Sequence, residues 1–399
     1  MIDDLLMNAV IETIPQWYIA DCGPYRYSIS IGNKQQKFYS QVKFSPLLQK
    51  YYDYANRMLP KWKQIISGSP LPVHIDFIQG LLALKWLNLF DKDIEWRELL
   101  MFLRGSSNRS YENKPISLNL VISPGNGSVK ITNSDFHKLL DPLASSPQVF
   151  IRVDKNLNFL NYEQVPWTNI KETYSYKFNP EFLQPIASIL KEGEISIHLT
   201  SAGDIIFMNS SGIIASKRNL FWTLYDVVNF SESVIQIFGN PRAIILLENL
   251  LDLSYCRNGA LIIYDYDRTV IKQIVNKESF LSDELGTPDL FRQMLAKSLK
   301  VNDFFHRGRQ KLPRLKRLFQ EVTRIDGAVI CDTKMILAFG AMIKPHPDVL
   351  YHRGARSTAA ESAYRWGGIA MNVSSDGDIR IYFESSDKQN KCDSLLSFM

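Results

Sequence analysis

An acidic residue at the start of an apolar run is the first candidate for chemistry in this chain of 399 residues. Asp326 directly precedes Gly327, Ala328 and a short apolar segment that is typical of a buried strand. At the mouth of such a strand, its carboxylate could hold Mg²⁺ or a ribose hydroxyl. The alternative is a turn aspartate that accepts hydrogen bonds from its own backbone. The pattern leaves a ligand role and a turn role open.

A second segment has the residue types of an anion site. Gly354 is followed by Ala355, Arg356, Ser357 and Thr358, and then by a stretch with helical character. Glycine lets the backbone approach a ligand, a helix N-terminus offers free N–H groups, and arginine can bind a phosphate through two parallel hydrogen bonds. The alternative is an ordinary helix cap with an arginine at the surface.

Two further segments complete a series whose order is more informative than any single member. Asn258 and Gly259 precede an apolar run from Ala260 to Tyr264, which predicts a strand. Residues 369–383 are typical of a strand, an Asp-Gly turn and a second strand. The series resembles the nucleotide-binding domain of the diadenylate cyclase superfamily. In that family a Gly-Ala-Leu-Ile strand, an Asp-Gly-Ala motif, a Gly-Thr-Arg-His-Arg-Ala-Ala motif and a Val-Ser-x-x-x-Gly hairpin follow one another.

The resemblance implies one nucleotide site built from these segments. Its expected residues are Gly259, Ala260, Leu261, Asp326, Gly327, Ala328, Gly354, Arg356, Ser357 and Thr358. The first three would form part of an adenine pocket. Asp326 would bind Mg²⁺ or Mn²⁺ and, in an active enzyme, would be the catalytic acidic residue that helps to activate a ribose 3′-hydroxyl. The implied ligand is ATP or a cyclic dinucleotide.

One departure from the family pattern bears on activity. Arg356, Ser357 and Thr358 stand where the cyclases carry Arg-His-Arg, so a histidine and an arginine that would meet phosphates and metal are missing. The resemblance therefore supports binding better than catalysis. The shorter hairpin turn Ser374-Ser375-Asp376-Gly377 resembles that of the predicted sensor branch of the superfamily, sometimes labelled DACNV. The expected function is a nucleotide-binding sensor in bacterial-type cyclic dinucleotide signalling. The alternative is an active diadenylate cyclase that makes cyclic di-AMP from two ATP molecules, and this alternative predicts a symmetric homo-oligomer.

A basic run offers a third function class. The stretch from Arg307 to Arg317 contains six cations and no acid. It fits a solvated helix face, or a basic rim that attracts polyphosphate or nucleic acid. A nucleic-acid-binding module is accordingly a further, less favoured alternative, because a solvated helix face is the commoner role of such a run. A formal net charge of +5 over the whole chain is mild and argues neither for nor against a nucleic-acid partner.

Composition and patterning predict the class of the protein. A hydrophobic content of 45% is enough for real cores in two or three domains. Four cysteines without a Cys-x-x-Cys pair favour thiols in a reducing compartment. The apolar run from Phe77 to Phe90 is broken by Gln79 and Lys85, so it fits a core helix better than a membrane span. We expect a cytoplasmic protein that has no membrane partner.

The expected fold class is α/β (α+β). It comprises an N-terminal α/β region of unassigned role, a small β-meander, and a C-terminal mixed β-sheet flanked by helices. The predicted boundaries are 1–140 for the N-terminal region, 141–192 for an irregular linker and 193–385 for the nucleotide-binding domain, with its core at 240–383. Residues 386–399 are expected to form a C-terminal tail.

Overall fold

The computed structural model describes residues 2–13, 25–31, 33–40, 43–67, 75–133, 136, 148–165, 178–218, 221–239, 244–281, 319–332, 335–350, 354–386 and 391–398. The chain forms two compact units. The first contains Met1–Pro15, Tyr27–Lys37 and Lys43–Phe230, and the second contains Gln16–Arg26, Phe38–Val42 and Ser231–Met399. The basic run from Arg307 to Arg317 lies outside the described residues.

Eight helices are described. They are α1 (Ile2–Glu12), α2 (Pro46–Ser67), α3 (Ile75–Phe90), α4 (Trp96–Ser107), α5 (Gln184–Ile189), α6 (Val227–Phe238), α7 (Ile244–Tyr255) and α8 (Ala355–Arg365). Short 3₁₀ turns cover Glu181–Leu183, Val270–Gln273 and Lys277–Ser279. None of the helices in the described part of the chain has the length and apolar character needed to cross a membrane.

The described strands belong to four sheets. They are β1 (Tyr25–Ile31), β2 (Lys34–Ser40), β3 (Ser110–Tyr111), β4 (Lys114–Pro115), β5 (Leu118–Ile122), β6 (Val149–Val153), β7 (Phe159–Gln164), β8 (Ile195–Leu199), β9 (Ile205–Asn209), β10 (Gly212–Arg218), β11 (Phe221–Leu224), β12 (Ala260–Tyr264), β13 (Ala328–Cys331), β14 (Ile336–Ala341), β15 (Ile369–Val373), β16 (Ile379–Ser386) and β17 (Lys391–Phe398). β1 pairs with β2, and β3 with β4, as small hairpins.

The core of the first unit is a seven-stranded mixed sheet in the order β11-β10-β9-β8-β5-β6-β7. Its parallel pair is β5 and β6, and every residue of β5 and β8 is buried, as expected for central strands. Helix α3 packs on β10 and β11, where the Trp86 indole donates a hydrogen bond to the Ile214 carbonyl at 2.7 Å. The apolar run from Phe77 to Phe90 is therefore a core helix of this unit.

The core of the second unit is a six-stranded mixed sheet in the order β14-β13-β12-β15-β16-β17. Its parallel pair is β12 and β13, and the other neighbours are antiparallel. Helix α8 packs across one face, where its Ala360 and Ala363 meet Leu261 and Ile263 of β12. The predicted fold class, mixed α/β with helices on mixed sheets, is confirmed.

The domain boundaries in the structure differ from the predicted ones. The meander that begins at residue 195 forms as strands, but β8 pairs with β5 and the division falls between Phe230 and Ser231, not at 193. The predicted linker at 141–192 contains β6 and β7 of the same sheet, and the predicted tail at 386–399 contains β17, which pairs with β16. These partner strands are not continuous in sequence, so local patterning does not reveal them.

A buried polar chain crosses the centre of the first sheet. His198 of β8 lies 2.8 Å from the Asn119 side-chain oxygen on β5 and 3.0 Å from the Ser196 hydroxyl. Because this histidine is buried and its hydrogen-bond partners are uncharged, burial lowers its pKa to about 3. This polar chain differs from a serine-hydrolase triad because an asparagine stands in place of the acid, and all three side chains are buried. We assign these residues a structural role.

We predict that His198→Gln makes the first unit less sensitive to acid. Between pH 7 and pH 5 the unfolded chain binds a proton at this histidine that the folded chain does not bind, so stability falls as pH falls. This difference amounts to about 2 kcal/mol. Hydrogen exchange of the β5 and β8 amides at both pH values measures it. His346→Gln, outside this sheet, is the control, and equal pH dependence in His198→Gln and the wild type would contradict the prediction.

Candidate functional site

The pairing of the parallel strands brings the predicted segments to one edge of the second sheet. Leu261 of β12 is in register with Ala328 of β13, so Gly259 and Gly327, which precede these strands, lie at the same edge. β15 runs antiparallel to β12 and ends there, with Val373 opposite Ala260. Segments that are far apart in sequence therefore meet at the amino ends of β12 and β13.

Asp326 lies at this edge with its carboxylate in solvent. Its side chain is 88% exposed, and its nearest cation is Arg356, whose Nη2 lies 3.9 Å from the Asp326 Oδ1. An exposed pair at this distance contributes little to stability. The carboxylate is therefore open to a ligand. Asp326 lies at the amino end of β13, whereas ligands of open α/β sheets usually bind at the carboxyl ends of the strands.

Gly259 provides the space that Arg356 occupies. A Cβ at residue 259 would collide with the Arg356 guanidinium, which reaches from the first turn of α8 across the start of β12. Any side chain larger than hydrogen would displace the guanidinium. The glycine, the arginine and Asp326 therefore lie together in one cluster.

Gly327 is required at the start of β13 for two independent reasons. Its φ of +108° is in the left-handed region, which strains other residues. A Cβ there would also lie 2.8 Å from the Cα of Gly340 on β14. The turn that presents Asp326 therefore depends on close contact between two backbone segments.

The loops before β12 and β13 are joined by a pair that the sequence did not reveal. With its amide oriented so that the oxygen faces Arg324, Asn258 accepts hydrogen bonds from the Arg324 Nε and Nη2, each at 3.0 Å. Arg324 also pairs with Glu321 at 3.1 Å. The contact holds the segment before Asp326 beside the segment before Gly259.

The N-terminus of α8 faces the same cluster. Gly354 caps the helix without a side-chain hydrogen bond, and the Thr358 N–H donates to the Gly354 carbonyl at 3.1 Å. The Ser357 hydroxyl lies 3.4 Å from the amide nitrogen of Asn372 on β15. Asn372 was missed, although a polar residue inside the apolar run from Ile369 to Val373 was a signal that could have found it.

Three predicted site residues lie in the core. Ala260, Leu261 and Ala328 are almost fully buried, and the last two belong to the apolar cluster beneath α8. Their side chains do not line the open edge beside Asp326. A ligand at this edge would therefore not contact these three side chains.

Metal binding at Asp326 would need ligand oxygens from the bound molecule. The described residues contain no group of three histidine, cysteine or acidic side chains that could hold a metal ion. Mg²⁺ is commonly bound by one or two carboxylates together with substrate phosphates and water. A single exposed carboxylate beside an arginine fits Mg²⁺ or Mn²⁺ carried by a phosphate ligand, and does not fit a dedicated metal cage.

The carboxyl ends of β12 and β13 are lined by different residue types. A cleft of about 710 Å³ lies there, with aromatic walls that include Phe238, Tyr264 and Tyr266. At the carboxyl end of β12, the Asp265 carboxylate accepts hydrogen bonds from the backbone N–H groups of Thr269 at 2.9 Å and Ile271 at 2.7 Å. This acid is occupied in shaping its own turn. The residues predicted from the sequence do not line the cleft.

Comparisons with known proteins find similar solved structures but no matching family. No protein-family model and no curated protein matches the chain. Matching solved structures include a double mutant of DacA from Staphylococcus aureus, with 19% identity over 39% of this chain and 83% of that chain, at a TM-score of 0.21. Another is a hypothetical membrane spanning protein from Bacillus cereus, with 16% identity over 43% and 71%, at 0.25. At such TM-scores, neither match bears on the role of any residue.

We predict that Gly327→Ala strongly destabilises the second unit. The positive φ costs about 1 kcal/mol, and the clash with Gly340 adds about 1–3 kcal/mol. Gly239→Ala is the matched control, because Gly239 has a φ of +62° but no atom within 4 Å of the point where a Cβ would lie. Hydrogen exchange of the β12 and β13 amides measures both changes. Equal losses in the two variants would show that the Gly340 contact is unimportant.

Proposed function

We propose that the second unit binds an adenine nucleotide or a cyclic dinucleotide at the amino ends of β12 and β13. The observation that carries this proposal is the convergence of Gly259, Asp326 and Arg356, three residues from separate segments, beside the N-terminus of α8. Helix N-termini and arginine both favour phosphate. Asp326 is free to accept a ribose hydroxyl or to hold Mg²⁺ or Mn²⁺ on the phosphates.

The residues around the site support binding more strongly than catalysis. Joining two ATP molecules needs in-line attack of a 3′-hydroxyl on an α-phosphate, with cations that stabilise the developing charge. In the first turn of α8, Arg356 is the cation, and Ser357 and Thr358 offer uncharged hydroxyls. We therefore favour a sensor that responds to a nucleotide over an active cyclase.

We predict that Asp326→Asn and Arg356→Gln each weaken nucleotide binding at least about tenfold, because each removes a charge-assisted contact. Isothermal titration with ATP and with cyclic di-AMP, each with and without Mg²⁺, measures the effect. Asp348→Asn and Arg365→Gln are matched controls, since both residues are exposed and neither belongs to the cluster. Unchanged affinity in both site variants would place the ligand elsewhere.

Product analysis separates the sensor from the cyclase. The protein is incubated with ATP and Mg²⁺ or Mn²⁺, and the products are separated by ion exchange and identified by mass. We expect unchanged ATP. A cyclic dinucleotide that disappears with Asp326→Ala would overturn the sensor and establish the cyclase. Strong, salt-dependent binding to DNA or RNA that survives Asp326→Ala would instead favour the nucleic-acid alternative.

A further inference from the structure

A half-buried arginine lies in the hairpin beside the proposed nucleotide site. Arg380 of β16 stands between Ile379 and Ile381, which are both fully buried. Within the described residues, its guanidinium has no hydrogen-bond or ion-pair partner. A cation that is partly removed from water is costly unless a counter-charge approaches it. The position of Arg380 therefore calls for an anion that the described part of the chain does not supply.

Strand register shows which way Arg380 projects. It is directly opposite Asn372 of β15, and Asn372 is directly opposite Leu261 of β12. Residues in direct register share one face of a sheet. Leu261 packs beneath α8, and the Asn372 amide nitrogen lies 3.4 Å from the Ser357 hydroxyl in the first turn of α8. Arg380 is thus on the α8 face, next to the N-terminal end of that helix.

Asn372 adds an independent sign of a ligand. The residue is only 5% exposed, and its side-chain oxygen has no hydrogen-bond partner among the described residues. If the amide is rotated so that its oxygen and nitrogen change places, the Ser357 hydroxyl donates to the oxygen. The amide nitrogen then has no hydrogen-bond partner. In either orientation one polar end of a buried amide is unused. Unpaired buried polar groups are rare in folded proteins and call for an explanation.

We propose that Arg380, Asn372, Ser357 and the first turn of α8 form an oligophosphate subsite next to Arg356. Two arginines on different elements, with a helix of eleven residues whose first turn carries no side-chain cap, suit a ligand with several negative charges. A di- or triphosphate chain has this chemistry. With the Asn372 amide turned so that its oxygen accepts a hydrogen bond from the Ser357 hydroxyl, its unused N–H groups would donate to that chain. The identity of the natural ligand rests on the proposed nucleotide function, whereas the anion chemistry does not.

Titration with inorganic tripolyphosphate tests the subsite without a nucleotide. We expect the wild-type chain to bind tripolyphosphate at least about tenfold more tightly than orthophosphate. Arg380→Gln should weaken tripolyphosphate binding about tenfold to a hundredfold, because it removes a charge-assisted contact. Arg365→Gln, which removes a cation from the other end of α8, should leave it unchanged. Arg380→Met keeps the apolar stem and gives the same information if Arg380→Gln does not fold.

The outcomes separate this inference from the proposed function. Tripolyphosphate binding that is absent, or that is equal in wild type and the uncharged Arg380 variants, overturns the subsite. If Arg380→Gln weakens tripolyphosphate binding but no nucleotide binds, the subsite stands and the nucleotide proposal fails. If nucleotides bind through Asp326 and Arg356 while Arg380→Gln binds both ATP and tripolyphosphate as well as the wild type does, the nucleotide proposal stands and the subsite is overturned.

Discussion

The parallel pairing of β12 with β13 is the constraint on which the candidate site depends. Register between Leu261 and Ala328 places the turns that precede both strands side by side. On its other side β13 pairs with β14, where the backbone of Gly327 lies against Gly340. A shift of one residue would reverse the faces of β13, bring Ala328 out of the core and remove Asp326 from Arg356. The positions of Asp326 and Arg356 relative to each other are therefore a consequence of strand pairing in the sheet.

The acidic residues at the two ends of the strands in this sheet differ in how far their carboxylates are already engaged. At the carboxyl ends, Asp265 accepts backbone hydrogen bonds, and Asp332 pairs with Arg268 at 2.7 Å. Acids used in this way stabilise turns and have little capacity left for a ligand. At the amino ends, the carboxylate of Asp326 is exposed and only loosely paired. The amino edge is thus the better candidate, although open α/β sheets usually bind ligands at the other edge.

Polar side chains inside buried strands differ between the two units in whether their hydrogen bonds are satisfied. In the first sheet, Ser196, His198 and Asn119 satisfy one another, so a chain that resembles a catalytic one is structural. In the second sheet, Asn372 keeps an unused polar atom and Arg380 lacks a partner among the described residues. The residue types are comparable in both places. What distinguishes them is whether neighbouring strands satisfy their hydrogen bonds.

Local sequence by itself determined the strands at β12, β13 and β15, the helix that begins after Gly354 and the Asp-Gly turn, because side-chain periodicity and glycine geometry act within a few residues. It also identified Asp326 and Arg356 as candidates. Only the tertiary structure decided that the strands before residue 230 belong to the first sheet, that Leu261 and Ala328 are core, and that Arg380 lies beside α8. Those outcomes depend on which distant strands pair and in which register, and the sequence of one strand does not specify which strand becomes its hydrogen-bonded neighbour.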